Sequence, residues 1–253
     1  MTYGYDADIS KVWGMAGSNN LRDNGKSLAY TLLDRRARNK DRPIIFIAHS
    51  LGGLVVEQAL LVCRGSNGEL QSVLSSTAAV MFLGTPHSGS DLATWGRKIA
   101  TYLQVVRRVN TDILGVLQPK SEVLVSIEQE FQQLLLKPDI KIRIFCFYES
   151  NAIVGVGKIV PEESAVLPQY PNACIAANHM DMVRFSGEGD AGYDLVLGRL
   201  RQWMQEIEEQ GDALPDPEVA KMDLYSRIDS GGGSIFQGGQ VFNGGQVFNF
   251  GGN

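Results

Sequence analysis

The chain has little cysteine, little histidine and no long apolar run. Its three cysteines, Cys63, Cys146 and Cys174, are far apart and odd in number. That pattern argues against a disulfide framework and a CxxC-type zinc site, and it points to a reducing compartment. The longest apolar runs, Pro43–Ala48 and Ala78–Leu83, fall far short of the roughly 20 residues that a membrane-spanning helix needs. The N-terminus carries no basic-then-apolar signal. These absences predict a soluble, cytoplasmic chain with no transmembrane segment. Lys+Arg 23 against Asp+Glu 28 leaves a net charge of −5 with no basic stripe, so nucleic acid is a poor partner. No G-x-x-x-x-G-K-[ST] phosphate loop occurs, and neither a nucleotide nor a metal cofactor is implied.

What is present is enough apolar residue, 44% of 253, for one domain of ordinary size with a sizeable core plus a short extra segment. Ile44–Ala48, Ala78–Leu83 and Ile142–Phe147 read as buried strands, with a shorter one at Ala173–Ala176. Helical text separates them. Leu28, Leu32 and Leu33 recur at helical spacing before the first strand, Leu51–Cys63 follows it, and 92–136 is helical in pieces. A last helix over Asp194–Glu209 carries an apolar stripe expected to dock on the sheet. The alternation predicts an α/β fold with a mostly parallel sheet covered by helices. The composition divides the chain into a body over 1–210, a linker over 211–230 that follows the break Gly211–Pro217, and a Gly/Gln/Asn/Phe tail over 231–253.

Directly after the first strand comes Ala48-His49-Ser50-Leu51-Gly52-Gly53 and then the helical Leu54–Leu60. This strand-turn-helix setting matches the nucleophile elbow G-x-S-x-G, with Ala48 in the first small position. The turn lifts a serine hydroxyl above the sheet, and small residues two before and two after it, Ala48 and Gly52, keep strand and helix from colliding. The helix N-terminus favours developing negative charge, so the Leu51 N–H is the expected oxyanion donor.

A serine nucleophile needs a base, and there are three histidines. His49 adjoins the serine and is expected to pack. His87, in the turn Gly84–Ser90 with Thr85, is expected to support the site structurally. His179 lies in a loop after the last strand and before the final helix, where the chain order Ser, acid, His places the base. The acid should leave the end of the third long strand. Glu149 meets that demand, with Glu162 and Glu163 as the alternatives, while Asp181 reads as a surface charge.

Taken in order, AHSLGGLVVEQAL, FLGTPHSGSDLATWG, IFCFYES, the Glu163-Ser164-Ala165 turn and ANHMDMVRF resemble the lipase-like serine esterase domains of the alpha/beta hydrolase fold found at the head of fungal NOD-like receptors. The similarity covers about residues 1 to 207. It implies a triad of Ser50, His179 and an acid, with His49, Gly52, Thr85, His87 and Ser164 in support. It also implies an ester or lipid substrate and cap helices at about 92–136. In that family a strand ending in a His-Gly loop precedes the Tyr-Gly-Tyr strand, here within Met1–Asp6. Its absence predicts a truncated hydrolase that lacks its first strands and a second oxyanion donor. A catalytically impaired hydrolase-like signalling module is the alternative reading.

In the tail a six-residue unit recurs about three times over Ser234–Asn253. Period-2 alternation puts Gln240 and Phe242 on one side and Val241 and Asn243 on the other, a pattern suited to Gln/Asn ladders and apolar zippers. The unit resembles amyloid signalling motifs of fungal effectors, which implies self-assembly or templating by a receptor through 231–253.

Overall fold

The computed structural model describes residues 1, 3, 17–66, 68–87, 95, 98, 101, 121–209, 236–237, 240–243 and 246–249. Two compact units emerge, Tyr5–His179, and Met1–Gly4 with Met180–Asn253; each is described by itself. Most of the expected strand within Met1–Asp6, the linker over 211–230, and most of the 92–120 part of the cap expected at about 92–136 lie outside the described residues.

Among its described residues the larger unit holds four strands, β1 (Ile44–His49), β2 (Thr77–Leu83), β3 (Arg143–Glu149) and β4 (Asn172–Ile175), in the spatial order β1-β2-β3-β4. All three pairings are parallel. β2 is buried along nearly its whole length, as a strand flanked on both edges and covered by helices must be. Its neighbours share that composition, which is why each reads in sequence as an apolar run rather than as an alternation. Among the described residues, the helices that connect and cover these strands are α1 (Gly17–Arg35), α2 (Leu51–Gly65), the short α3 (Gln71–Ser75), α4 (Ser121–Leu135) and the single turn α5 (Glu162–Ala165). This is the α/β-hydrolase fold expected from the sequence.

α2 is buried on almost every side, including Leu54, Val55, Ala59 and Leu60, the signature of a helix enclosed by neighbours. α1 lies along it. At their closest approach a Cβ on Gly25 would come within 3.0 Å of the Gln58 side chain and the Ala59 backbone nitrogen, so a glycine is needed there for the helices to approach. α2 also meets α4. α4 buries Ile127, Phe131 and Leu134 and sets Phe131 edge-on to Phe82 of β2, with ring centroids 6.1 Å apart. The last part of the segment expected to form a cap therefore packs with the helices that cover the sheet.

The smaller unit contains α6 (Ala191–Glu209), three residues longer at its start than the apolar stripe predicted. The reason is a cap. Asp190 Oδ1 accepts the N–H groups of Gly192 and Tyr193 at 2.9 and 3.1 Å, satisfying donors that a helix N-terminus leaves open. Burial works against the Asp190 charge, but these donors and those of Ser186 hold its carboxyl below the usual range. Asp181, expected as a surface charge, is exposed and paired with Arg184 at 3.1 Å. In the tail, β5 (Phe236–Gln237), β6 (Gln240–Asn243) and β7 (Gln246–Asn249) form an antiparallel sheet in that order. The repeat unit thus takes a strand conformation within one chain, with the two QVFN segments paired Gln240 to Asn249 and Asn243 to Gln246.

Candidate active site

The four parallel strands end at His49, Leu83, Glu149 and Ile175, and each candidate group sits at or just beyond one of those carboxyl ends, the face on which open α/β sheets carry their sites. Register fixes the spacing. His49 lies opposite Leu83, Leu83 opposite Phe147, and Glu149 opposite Ile175.

Ser50 follows β1 and precedes α2. Its backbone adopts φ 55, ψ −129, and among the described residues it is the non-glycine residue with a positive φ. L side chains rarely take this conformation, and it persists only where surrounding structure enforces it. Two bonds enforce it here. Ser50 N–H donates to Leu83 O at 3.0 Å, and Gly53 N–H donates to Ser50 O at 3.1 Å. Leu51, the first residue of α2, is buried, and by helix geometry its N–H has no partner within the helix.

Gly52 occupies the small position singled out by the motif, and a severe steric demand falls one residue later. A Cβ on Gly53 would lie within 2.7 Å of three side-chain atoms of Thr85. Thr85 is fully buried at the end of β2, so the first turn of α2 and the loop after β2 touch through a position that only glycine fits. Gly53→Ala should overpack this contact and cost about 1–3 kcal/mol, read as a lowered Tm with Thr85→Ala relieving part of the loss.

His179 is completely buried. Ser50 Oγ lies 3.0 Å from His179 Nε2, and with the imidazole proton on Nδ1 the hydroxyl donates to Nε2. Burial, reinforced by His49, holds the His179 pKa well below the usual histidine range, so the ring is neutral and ready to accept a proton. Glu149, the last residue of β3, is 1% exposed. Its Oε1 accepts the Val160 N–H at 2.7 Å, and the backbone N–H of His179 also hydrogen-bonds the carboxyl. Burial raises the Glu149 pKa to about 7 against the lowering effect of these donors. Glu149 Oε2 and His179 Nδ1 are both buried without a hydrogen-bond partner. The alternative acids, Glu162 and Glu163, are exposed on α5, and Glu162 hydrogen-bonds the Tyr148 side chain.

The remaining histidines do more than the sequence foretold. His49, expected only to pack, lies with its ring 4.8 Å from that of His179, and its Nε2–H donates to the His179 carbonyl at 2.9 Å. His87 is buried, and its Nδ1 meets Glu57 Oε1 of α2 at 2.7 Å. Its Nε2 faces Cys146 Sγ of β3 at 3.9 Å, and Phe82 packs edge-on at 4.6 Å. Burial opposes the His87 charge, yet the bonds to Cys146 and Glu57 and the Glu57 charge raise its pKa to about 9. Burial likewise pushes the Glu57 carboxyl up, against the pull of His87. His87 N–H also donates to Ser164 O at 2.7 Å, which ties the buried Ser164 of α5 to the β2 loop. The Glu57 pairing escaped the sequence reading, although its signal was there: an acid in the middle of the otherwise apolar LGGLVVEQALL.

Among the described residues there is no group of three or more His, Cys, Asp or Glu that could hold a metal ion, and no helix is long and apolar enough to cross a membrane. No family model matches the chain. It is similar to Protein SERAC1 from Homo sapiens, 28% identical over 170 residues, covering 66% of this chain and 25% of that protein. It is similar to Protein SERAC1 from Mus musculus at 28% over 152 residues, covering 59% of this chain and 22% of that protein. The chain thus spans about a quarter of the length of these curated relatives. Among solved structures it resembles the mature form of the Bacillus licheniformis lipase BlEst2, with 25% identity, a TM-score of 0.39, and coverage of 63% of this chain and 67% of that one.

Proposed function

We propose that the chain is a serine hydrolase of carboxylic esters, with lipid esters as the favoured class. The observation that carries this reading is the 3.0 Å contact between Ser50 Oγ and the Nε2 of a buried, neutral His179, made from a strained backbone conformation of the kind a tight elbow enforces. Ser50 Oγ attacks the ester carbonyl as its proton passes to His179 Nε2. The Leu51 N–H receives the oxyanion. The tetrahedral intermediate then collapses, the alcohol leaves with the proton from His179, and water cleaves the acyl-serine by the same steps in reverse. Glu149 stabilises the imidazolium. A bond from Nδ1–H to Oε2 would satisfy both buried orphans at once, which supports Glu149 over the exposed Glu162 and Glu163. A set of p-nitrophenyl esters of increasing acyl length tests the reading. Turnover that rises with chain length and depends on Ser50 is expected, and no turnover with any ester overturns it.

The carboxyl of Glu149 sets the pH dependence. It must be ionised to stabilise the imidazolium, so kcat/KM should rise with pH through about 7 and level off above. Glu149→Gln should remove that rise together with most of the activity. The same raised pKa has a stability consequence of opposite sense. The folded state favours the protonated acid, so the contribution is fully present below the usual carboxylate range and lost as pH rises through about 7. Glu149→Gln should therefore gain Tm over the parent chain at pH 8 and not at pH 4. An acid limb near 7 that survives in Glu149→Gln would assign it to another group.

A second reading, a signalling module assembled through 231–253, is favoured by one observation, the pairing of the two QVFN strands β6 and β7. It treats 1–210 as the body and 211–230 as a linker. The two readings part at Ser50, whose reactivity the first requires and the second does not.

A further inference from the structure

His49 stands immediately before the nucleophile and its imidazole has a use that the triad does not supply. As the last residue of β1, opposite Leu83, it is fixed by the central sheet. From that anchored position its Nε2–H donates to the main-chain carbonyl of His179 at 2.9 Å, across 130 residues of sequence, and the rings lie 4.8 Å apart at 37°. The backbone of His179 is thus held on both sides, its N–H by the Glu149 carboxyl and its C=O by His49. Its side chain meets Ser50, the residue after His49.

We propose that His49 is a positioning residue that clamps the main chain of the base to the elbow, so that one rigid strand end sets both the nucleophile and the Nε2 that receives its proton. The proposal rests on the reading of Ser50 and His179 given above and goes beyond it. Proton transfer depends steeply on heavy-atom distance, and a displacement of about 1 Å costs about 100-fold in rate. Among the described residues this N–H links the sheet to the His179 carbonyl.

The test compares His49→Leu, which removes the donor, with His49→Gln, whose amide nitrogen reaches about as far as the histidine Nε2 and keeps an N–H. Both are assayed with p-nitrophenyl butyrate and by the rate of fluorophosphonate labelling, with Tm measured alongside. His49→Leu should lower kcat by about 10- to 100-fold with KM within about twofold, and His49→Gln should recover most of the loss. Should His49→Leu fail to fold, His49→Asn, whose amide stops short of the carbonyl, takes its place. A parent chain that labels while the donor-free variant labels equally fast overturns the clamp and leaves the triad standing. Equal impairment of the Leu and Gln variants at unchanged Tm also overturns it, since the N–H would then not matter. A parent chain that neither labels nor turns over ester removes the triad reading, and the clamp falls with it.

Discussion

Ser50→Ala is expected to leave the fold intact and to cut ester turnover by on the order of 10⁴- to 10⁶-fold, the range typical when a triad nucleophile is lost. The physical reason is specific to this elbow. With the hydroxyl gone, the neutral His179 has no nucleophile to deprotonate, and the Leu51 N–H faces a carbonyl that nothing attacks. Residual turnover would come from water activated by His179 alone. The backbone cost at position 50 stays, because alanine is no better suited than serine to a φ of 55, so Tm should move little. His179→Ala should lose activity on a similar scale, and the double variant should be no worse than either single one, since the two groups act as a unit. Losses that simply add would break the proposed partnership.

The second large effect concerns stability. Glu57→Ala should lower stability by about 3–5 kcal/mol, because it leaves a buried, charged His87 without its partner. For a chain of this size that corresponds to a Tm loss on the order of 10 °C. The pair spans the 2.7 Å between α2 and the β2 loop, next to the Gly53–Thr85 contact, so its loss frees both elements that flank the elbow. Replacing both partners, Glu57→Met with His87→Leu, should restore most of the stability, because removing a buried pair together avoids the stranded charge. The comparison is made by thermal melting at pH 7. A Glu57→Ala chain as stable as the parent would mean that the pair carries no net weight.

Much of the fold was legible because the sheet is parallel and buried. β1, β2 and β3 fall within two residues of the runs Ile44–Ala48, Ala78–Leu83 and Ile142–Phe147, and β4 within one of Ala173–Ala176, and strands buried along most of their length, as β2 and β3 are, become unbroken apolar text. The elbow was legible because its demands are local: a strand, a small residue, a serine and a helix within a dozen positions. What was not legible depends on contacts between distant segments. The need for glycine at Gly53 comes from Thr85, the depth of Glu57 from His87, and the bond made by His49 from a carbonyl 130 residues away. The start of α6 was missed for a different reason. An aspartate cap sets it, and the apolar period begins only at Tyr193, after the cap has done its work.

The measurement that bears most directly on the account is peptide mapping of the chain after reaction with a fluorophosphonate. The account predicts a single adduct on the peptide that contains Ser50, formed faster above pH 7 than below it and absent in Ser50→Ala. A folded chain that stays unmodified, or one modified at a different serine, would contradict it.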